Sequence, residues 1–300
     1  MKFTVLTLFP EITDAYFASS IMSKALEKGI IQYRSVNIRD FALDKHKTCD
    51  DAPYGGGPGM LLLAEPLSRA LESVGVNFSQ KISRRDAKNA EKNSNFDINE
   101  RSSALSAPWR EKFGGDCSSE FTQIAPIDPH VIYLSPSGRS FTQKRAEELA
   151  AMEELVLICG RYEGIDQRII DFYVDEELSV GDYVLSSGET AALAVIDTVY
   201  RLVDKVITAQ SLQEESFCGG LLEYPQYTRP EIFDTIKVPE ILLSGHHENI
   251  RKWRLIKRVE KTLAVRPELV EKGLQEGLFD AETVKLIEER KRNDERNKSN

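Results

Sequence analysis

The chain alternates short apolar runs with segments in which apolar residues recur at helical spacing. This alternation predicts a mainly parallel sheet flanked by helices, and therefore an α/β fold. The predicted strands lie at 2–9, 30–38, 130–134 and 155–159. The predicted helices lie at 14–28, 66–74, 142–151 and 189–203, with Thr142 as an N-cap and Gly29 as a helix stop.

Two segments interrupt the pattern. Residues 76–129 are rich in Ser, Asn, Lys, Arg and Glu without a sustained period, a composition that buries too little apolar surface to offset the entropy of ordering. We therefore predict a polar, mobile insertion there. Residues 207–219 are polar and indicate an interdomain linker, and most of 231–290 has helical spacing. The predicted organisation is a first domain at 1–206 and a small helical domain at 220–300 with a disordered tail.

Three glycine-bearing loops follow one another in the first domain: 133–138 (YLSPSG), 160–166 (GRYEGID) and 179–189 (SVGDYVLSSGE). The first two come directly after predicted strands. Because ligands of open α/β sheets bind beyond the carboxyl ends of the strands, these loops predict one shared small-molecule pocket. A fourth cluster, PYGGGPGM at 53–60, precedes a helix. No G-x-G-x-x-G links a strand to a helix, so a phosphate-gripping dinucleotide loop is not predicted.

Composition narrows the class of protein. A length of 300 residues with 41% hydrophobic content allows about two domains with real cores. The net charge of −9 argues against nonspecific binding to polyanions, so any RNA-binding surface must be local. The four cysteines are isolated, the four histidines form no metal pattern, and no signal peptide or membrane span is evident. We expect a cytoplasmic protein that makes no contact with membranes and has no protein-bound metal site.

Taken together, the four glycine motifs and the segment 210–231 resemble the bacterial tRNA (guanine-N1)-methyltransferases of the SPOUT class. The resemblance covers about 1–75 and 130–290, and its motifs occur in the family's order. It implies transfer of a methyl group from S-adenosyl-L-methionine to N1 of guanine 37, 3′ of the anticodon, in tRNA. It further implies a C-terminal trefoil knot in the sheet domain, a tRNA-binding helical domain, and a homodimer whose active sites use both subunits. The insertion at 76–129 departs from the family pattern.

The resemblance assigns cofactor binding to residues of the three loops. Backbone groups there are expected to hold the adenine and ribose of the cofactor. These residues are Tyr133, Leu134, Ser135, Pro136, Gly160, Tyr162, Glu163, Val180, Gly181, Tyr183, Leu185 and Gly188. Ser187 departs from the family, which has a second glycine next to Gly188, and its Cβ is expected to narrow the pocket slightly.

Two catalytic assignments also rest on the resemblance. Methylation at guanine N1 requires removal of the N1 proton, and the position matching Glu215 is the family's general base, usually Asp. Because Glu is longer by one methylene, Glu214 remains an alternative base, and a solvated acidic pair in a linker is the ordinary interpretation of such residues. Arg201 matches an arginine that stabilises negative charge on guanine O6. Its ordinary interpretation is a surface arginine on an amphipathic helix.

For tRNA contact, Arg251, Arg254, Arg258 and Lys261 fall at i, i+3, i+7 and i+10, which places four cations along one predicted helical face. A solvated basic face is the alternative. The resemblance adds His46, Asp50 and Gly59 as residues beside the target base. Two further alternatives stay open: a SPOUT methyltransferase that modifies another RNA position, and a cofactor-sensing or RNA-binding protein that has lost catalysis. Whether Mg²⁺ takes part stays open as well.

Overall fold

The computed structural model describes residues 1–78, 81, 129–207 and 215–298. The chain divides into two compact units, Met1–Val206 and Ile207–Asn300. Nearly all of the predicted insertion at 76–129 lies outside the described residues, as does Glu214 of the predicted linker.

The strands and helices predicted for the first unit occur in the predicted order, and further elements that the sequence analysis did not predict lie between them. Its elements in chain order are β1 (Lys2–Thr7), α1 (Pro10–Phe17), α2 (Ser20–Glu27), β2 (Gln32–Asn37), a 3-10 turn (Ile38–Phe41), β3 (Asp50–Asp51), β4 (Leu61–Leu62), α3 (Ala64–Ser73), β5 (His130–Ser140), α4 (Gln143–Ala150), β6 (Glu154–Cys159), α5 (Gln167–Tyr173), β7 (Glu176–Ser179) and α6 (Gly188–Tyr200).

Five of these strands form one sheet in the order β2-β1-β6-β5-β7, and every pairing in it is parallel. β1 and β6 are neighbours although they are about 150 residues apart, with Phe3 opposite Leu155 and Val5 opposite Leu157. The parallel α/β architecture is therefore confirmed, and it is consistent with a SPOUT-type sheet. The trefoil knot stays a prediction.

Helices cover both faces of the sheet, which is why the central strand β6 is apolar without interruption from Leu155 to Cys159. One core contains Phe3, Val5 and Leu157 of the sheet and packs against α1, α2, α4 and α6. The other contains Leu6 and Val156 and packs against α3 and α5. Alternate residues of each strand enter opposite cores, so the carboxyl edge of the sheet is left for the loops that follow β5, β6 and β7.

The structure corrects the predicted helix at 14–28, which is two helices that begin earlier, at Pro10. Proline is well suited to the first helical position because it has no N–H to leave unpaired. The break falls at Ser19, whose backbone is extended and whose hydroxyl donates to the carbonyl of Tyr16 at 2.9 Å. Serine side chains compete with the helix for backbone groups in this way.

The second unit has a separate small core and mostly helical structure. Its elements are a 3-10 turn (Cys218–Gly220), β8 (Ile232–Phe233), β9 (Ile236–Lys237), α7 (Glu240–Leu243), α8 (His247–Val265), α9 (Pro267–Gln275) and α10 (Ala281–Lys298). The core consists of Leu221, Val259, Val270 and Ile287.

Two sequence expectations for this unit need correction. Helical structure was predicted from 231 onward, but β8 and β9 form a hairpin whose turn residues, Asp234 and Thr235, both have positive φ. A disordered tail was predicted beyond 290, but α10 continues to Lys298, in a sequence rich in the strong helix formers Glu, Arg and Lys. Residues 299–300 lie outside the described part of the chain. No described helix is long and apolar enough to cross a membrane.

A cluster of charges fastens the amino ends of β5 and β7. Glu176 accepts hydrogen bonds from Arg145 of α4 and contacts His130 Nε2 at 2.7 Å, while Asp175 contacts Lys81 and accepts from the Val131 N–H at 2.8 Å. Burial alone would raise the pKa of Glu176, but the hydrogen bonds from His130 and Arg145 outweigh it and lower that pKa. The ion pairs therefore stabilise the folded state at neutral pH.

We expect Arg145→Met to lower the free energy of unfolding at pH 7 by about 1–3 kcal/mol, because Glu176 then keeps a half-buried charge without its main partner. A lowered folded-state pKa contributes stability above the ordinary carboxyl pKa and loses it as pH falls through the folded value. The gap in the free energy of unfolding between wild type and Arg145→Met should therefore narrow below about pH 4.5, the ordinary pKa of a glutamate side chain. Denaturant unfolding at pH 7 and pH 3.5 measures it. Lys144→Met, which removes an exposed cation from the same helix, is the control, and a gap independent of pH would contradict the assignment.

Candidate active site

A pocket of about 380 Å³ opens where β5, β6 and β7 end and α6 begins. Its wall comes from the three glycine-bearing loops that the sequence singled out. All twelve residues predicted to bind a cofactor lie on this wall: Tyr133, Leu134, Ser135, Pro136, Gly160, Tyr162, Glu163, Val180, Gly181, Tyr183, Leu185 and Gly188. The structure thus brings the predicted set together, and cofactor binding by these residues stays a prediction.

The first loop is an excursion within β5. The pairing of β5 with β7 shifts register between Leu134 and Arg139, so residues 135–138 leave the ladder and line the pocket with Ser135 and Pro136. Gly138 allows the chain to return, because a Cβ there would lie 2.5 Å from the carbonyl carbon of Glu177. A strand longer than the predicted 130–134 segment therefore supplies the loop.

Tyr133 supports the second loop from behind. A Cβ on Gly160 would lie 2.9 Å from the Tyr133 hydroxyl, and one on Gly164, whose φ is +133°, would lie 3.3 Å from it. Burial, followed by the nearby charge of Glu177, raises the pKa of Tyr133 to about 12. The phenol therefore stays neutral at physiological pH and serves as a packed, uncharged wall.

The third loop depends on two glycines. Gly181 has a φ of +156°, and a Cβ there would lie 2.4 Å from the Tyr183 ring. A Cβ on Gly188 would lie 2.7 Å from both Cys159 Cα and the backbone nitrogen of Gly160, so α6 begins in direct contact with the end of β6. Ser187, by contrast, has extended backbone with φ −164°, which any residue adopts. Its departure from the family glycine therefore causes no backbone strain, although Ser187 does line the pocket.

The 53–60 cluster docks on the second loop. The Met60 N–H donates to Glu163 Oε2 at 2.6 Å, and the Glu163 N–H donates to the Met60 carbonyl at 3.2 Å. Gly59, with φ +93°, lies so close to Glu163 that a Cβ would overlap its carboxyl group. Glu163 therefore joins the glycine cluster to the pocket, and Gly59, predicted to contact tRNA, lies beside the pocket wall.

Arg161 is a pocket residue that the sequence analysis did not single out. Its guanidinium lies 4.8 Å from the centroid of the Phe9 ring, and its backbone forms a bridge with Ser187. The signal that pointed to it was its place inside the GRYEG motif, between two predicted cofactor residues. The attraction to the ring favours this position of the guanidinium, and Arg161 is a cation among the residues that line the pocket.

The comparisons with known proteins agree with this geometry. The sequence model of the tRNA (guanine-1)-methyltransferase TrmD family matches residues 1–92 and 117–272. The chain is 54% identical over 289 residues to the tRNA (guanine-N(1)-)-methyltransferase of Treponema denticola, covering 96% of this chain and 98% of that protein. The corresponding enzyme of Borreliella burgdorferi is 51% identical over 277 residues, covering 92% and 95%, and that of Treponema pallidum is 47% identical over 289 residues, covering 96% of each.

The chain belongs to the tRNA (guanine-1)-methyltransferase family. The family model leaves out residues 93–116, which fall within the predicted insertion. Family membership confirms the resemblance inferred from the loop motifs.

His46 and Asp50 do not line the pocket of this family member. His46 is exposed on the loop before β3, where its N–H donates to Asp44 at 3.0 Å. Asp50 pairs with Leu62 in the β3–β4 ladder, and Leu62 in turn forms a bridge with Ile165 of the second loop. Asp50 is therefore tied to the pocket through one strand, whereas His46 is not.

The two predicted catalytic residues lie in different units of the chain. Arg201 follows the last residue of α6, at the opposite end of that helix from Gly188. Glu215 is half-buried and begins a tight turn in the second unit, where the Phe217 N–H donates to the Leu221 carbonyl at 2.9 Å. Glu214, the alternative base, lies outside the described residues.

The predicted basic face on α8 is engaged in contacts within its own unit. Arg251 donates to Glu248 and Glu282, and the Arg254 guanidinium lies 4.6 Å from the centroid of the Tyr224 ring. Arg258 donates to the Leu222 carbonyl at 3.2 Å, and Lys261 to that of Glu223 at 3.1 Å. Arg254, Arg258 and Lys261 therefore fasten the 222–224 segment to α8, a role that the helical spacing alone did not reveal. Among all the described residues, no group of three or more His, Cys, Asp or Glu side chains is arranged to hold a metal ion.

We expect Gly188→Ala to lower the free energy of unfolding by about 1–3 kcal/mol, because the added methyl group must displace the backbone at the end of β6. Ser187→Ala, at the adjacent residue with extended backbone, is the matched control and should be close to wild type. Thermal and denaturant unfolding of both variants decides between them. Wild-type stability of Gly188→Ala would show that the close contact is not a constraint.

Proposed function

We propose that this protein transfers the methyl group of S-adenosyl-L-methionine to N1 of guanine 37, 3′ of the anticodon, in tRNA. The observation that carries the proposal is the pocket, on whose wall all twelve predicted cofactor residues lie in a member of this family. The names of the relatives supply tRNA and guanine N1. The motif resemblance supplies the methyl donor and position 37.

The pocket fits a nucleoside cofactor without phosphates. Its volume lies within the ordinary range of small-molecule sites, and much of its wall is backbone from glycine-bearing loops. Backbone groups of Leu134, Gly160 and Leu185 are proposed to hold the adenine and ribose, while Gly188 keeps the wall free of a side chain at its closest approach to β6. When bound there, S-adenosylmethionine supplies an electrophilic methyl group on a positively charged sulfur.

Glu215 is the proposed general base. As the bond between the methyl carbon and N1 forms and the carbon–sulfur bond breaks, the Glu215 carboxylate accepts the proton that leaves N1. Arg201 is proposed to stabilise the negative charge that develops on guanine O6. Placing donor and acceptor in one site contributes through proximity, independently of the proton transfer.

The position of Arg201 supports a shared active site. α6 has 13 residues, so its two ends are about 20 Å apart at 1.5 Å per residue. The pocket lies at the first end of α6 and Arg201 at the second. The distance between these two ends exceeds the length of one arginine side chain. We therefore propose a homodimer in which the charge over the guanine comes from Arg201 of the partner subunit.

The helical unit is proposed to bind tRNA. Arg251 is the most exposed of the three predicted arginines and can exchange its carboxylate partners for phosphate oxygens, whereas Arg254 and Arg258 are proposed to shape the surface and contact tRNA at its edge. His46, Asp50 and Gly59 are proposed to lie near the target base. A cytoplasmic location follows from tRNA as substrate, and Mg²⁺ participation is left to be tested by chelation.

The test of the function is methylation of unmodified tRNA transcripts with radiolabelled S-adenosylmethionine, followed by identification of the modified nucleoside by mass. We expect 1-methylguanosine in transcripts with guanine 37 and none when that guanine is replaced by adenine. Equal labelling of both transcripts would exclude position 37. Binding of cofactor without any labelling would favour a binding protein that has lost catalysis.

We expect Glu215→Gln to lower kcat on the order of 10²-fold or more, because the amide keeps the shape of the side chain but cannot accept the proton. Glu215→Asp should retain activity, since Asp is usual at this position in the family, and Glu214→Gln should matter much less. Single-turnover methylation at saturating cofactor and tRNA measures all three, with cofactor affinity as the check on folding. A near wild-type rate for Glu215→Gln would move the role to another group, Glu214 first.

A further inference from the structure

Glu189 is a buried acid immediately behind the pocket wall. It occupies the first turn of α6 and is only 1% exposed, between Gly188 and Ala191, which both line the pocket. Its side chain contacts the end of β1, where Thr7 is fully buried. Glutamate is rarely buried to this degree without a charged partner.

The carboxylate has few hydrogen-bond donors around it. Oε1 accepts a hydrogen bond from the Thr7 hydroxyl at 2.5 Å, and the same hydroxyl accepts from the Phe9 N–H at 2.9 Å. Oε2 has no hydrogen-bond partner among the described residues, and no described cation forms an ion pair with Glu189. A buried polar atom in this state is unfavourable for folding, so its presence calls for a functional explanation.

The charges around the pocket provide a functional explanation for the buried carboxylate of Glu189. α6 begins at the pocket, and the free N–H groups of a helix start carry a partial positive charge. Arg161 adds a full positive charge to the wall, while the carboxylate of Glu163 is engaged with the Met60 N–H. A cationic ligand placed against the start of α6 is therefore bound more strongly when a negative charge lies close behind that part of the wall.

The field of Glu189 does reach this wall. Burial, and after it the charge of Glu189, raises the pKa of the Cys159 thiol well above its usual range. Cys159 is the last residue of β6 and precedes Gly160, which lines the pocket. Glu189 and Cys159 are each only 1% exposed, so little water screens the charge between Glu189 and the backbone at Gly160 and Gly188.

We propose that Glu189 makes the pocket selective for a cationic methyl donor over the neutral product that remains after transfer. The inference rests on the proposed function. Its negative charge offsets the positive start of α6 and of Arg161, so it strengthens binding of the sulfonium form and not of S-adenosylhomocysteine. Methyl transfer removes the positive charge of the ligand, so the product binds more weakly than the donor. This difference in affinity favours release of S-adenosylhomocysteine and its replacement by S-adenosylmethionine.

The test is calorimetric measurement of Kd for S-adenosylmethionine and for S-adenosylhomocysteine with the full-length protein. Glu189→Gln removes the charge and keeps the shape and the bond from Thr7. We expect it to weaken binding of S-adenosylmethionine on the order of tenfold and to leave S-adenosylhomocysteine within about twofold. Thr7→Ser is the matched control, because it alters the packing beside Glu189 and keeps both the hydroxyl donor and the charge. It should leave the ratio of the two Kd values unchanged even if it lowers Tm.

A second pair of variants keeps the inference testable if Glu189→Gln does not fold. Thr190 is exposed in the same first turn, so Thr190→Lys and Thr190→Glu add opposite charges without entering the core. Relative to S-adenosylhomocysteine, Thr190→Lys should weaken S-adenosylmethionine and Thr190→Glu should strengthen it, each by about twofold to threefold at low salt. Equal changes for both ligands in Glu189→Gln, or in both Thr190 variants where Glu189→Gln does not fold, would overturn the role of Glu189. A wild-type protein that binds neither ligand would overturn the proposed function itself.

Discussion

The contact between Gly188 and the carboxyl end of β6 is the constraint on which the pocket depends. Because no Cβ separates them, the start of α6 lies directly against Cys159 and Gly160, and the third loop is held over the second. The bridge between Arg161 and Ser187 and the hydrogen bond from the Gly188 N–H to the Gly160 carbonyl at 2.9 Å continue the same contact. Close packing of backbone on backbone thus replaces the side chains that would otherwise fill the site.

Charge is arranged locally in a chain that is acidic overall. The cations of α8 satisfy carbonyls and carboxylates of their own unit, and the amino ends of β5 and β7 are fastened by Arg145, His130 and Glu176. Glu189 differs from these acids because its only described hydrogen bond comes from a neutral hydroxyl. The charged groups that stabilise the fold are therefore paired, whereas the buried carboxylate of Glu189 lies beside the proposed active site.

The sequence predicted the class of fold and the membership of the pocket better than it predicted the boundaries of elements. Glycine-bearing loops after apolar runs predicted one shared pocket, because parallel strands place their carboxyl ends along one edge, and the family resemblance named the twelve residues that lie on its wall. The break at Ser19 and the hairpin turn at Asp234 and Thr235 were missed, since each depends on one or two backbone conformations and not on a period. Arg161 was missed because a single arginine inside a motif carries no period of its own.

By itself, the sequence determined four of the five strands of the sheet, the loops that line its carboxyl edge, and the family that the chain resembles. Those properties depend on spacing along the chain and on residue type. Only the tertiary structure decided that the hydroxyl of Thr7 meets the carboxylate of Glu189, 182 positions away, and that the basic residues of α8 are engaged with their own unit. The physical reason is the strand order. β1 pairs with β6, and this pairing brings together segments that are far apart in the chain. It depends on how the two cores pack against the sheet, and a pattern of neighbouring residues contains no information about that packing.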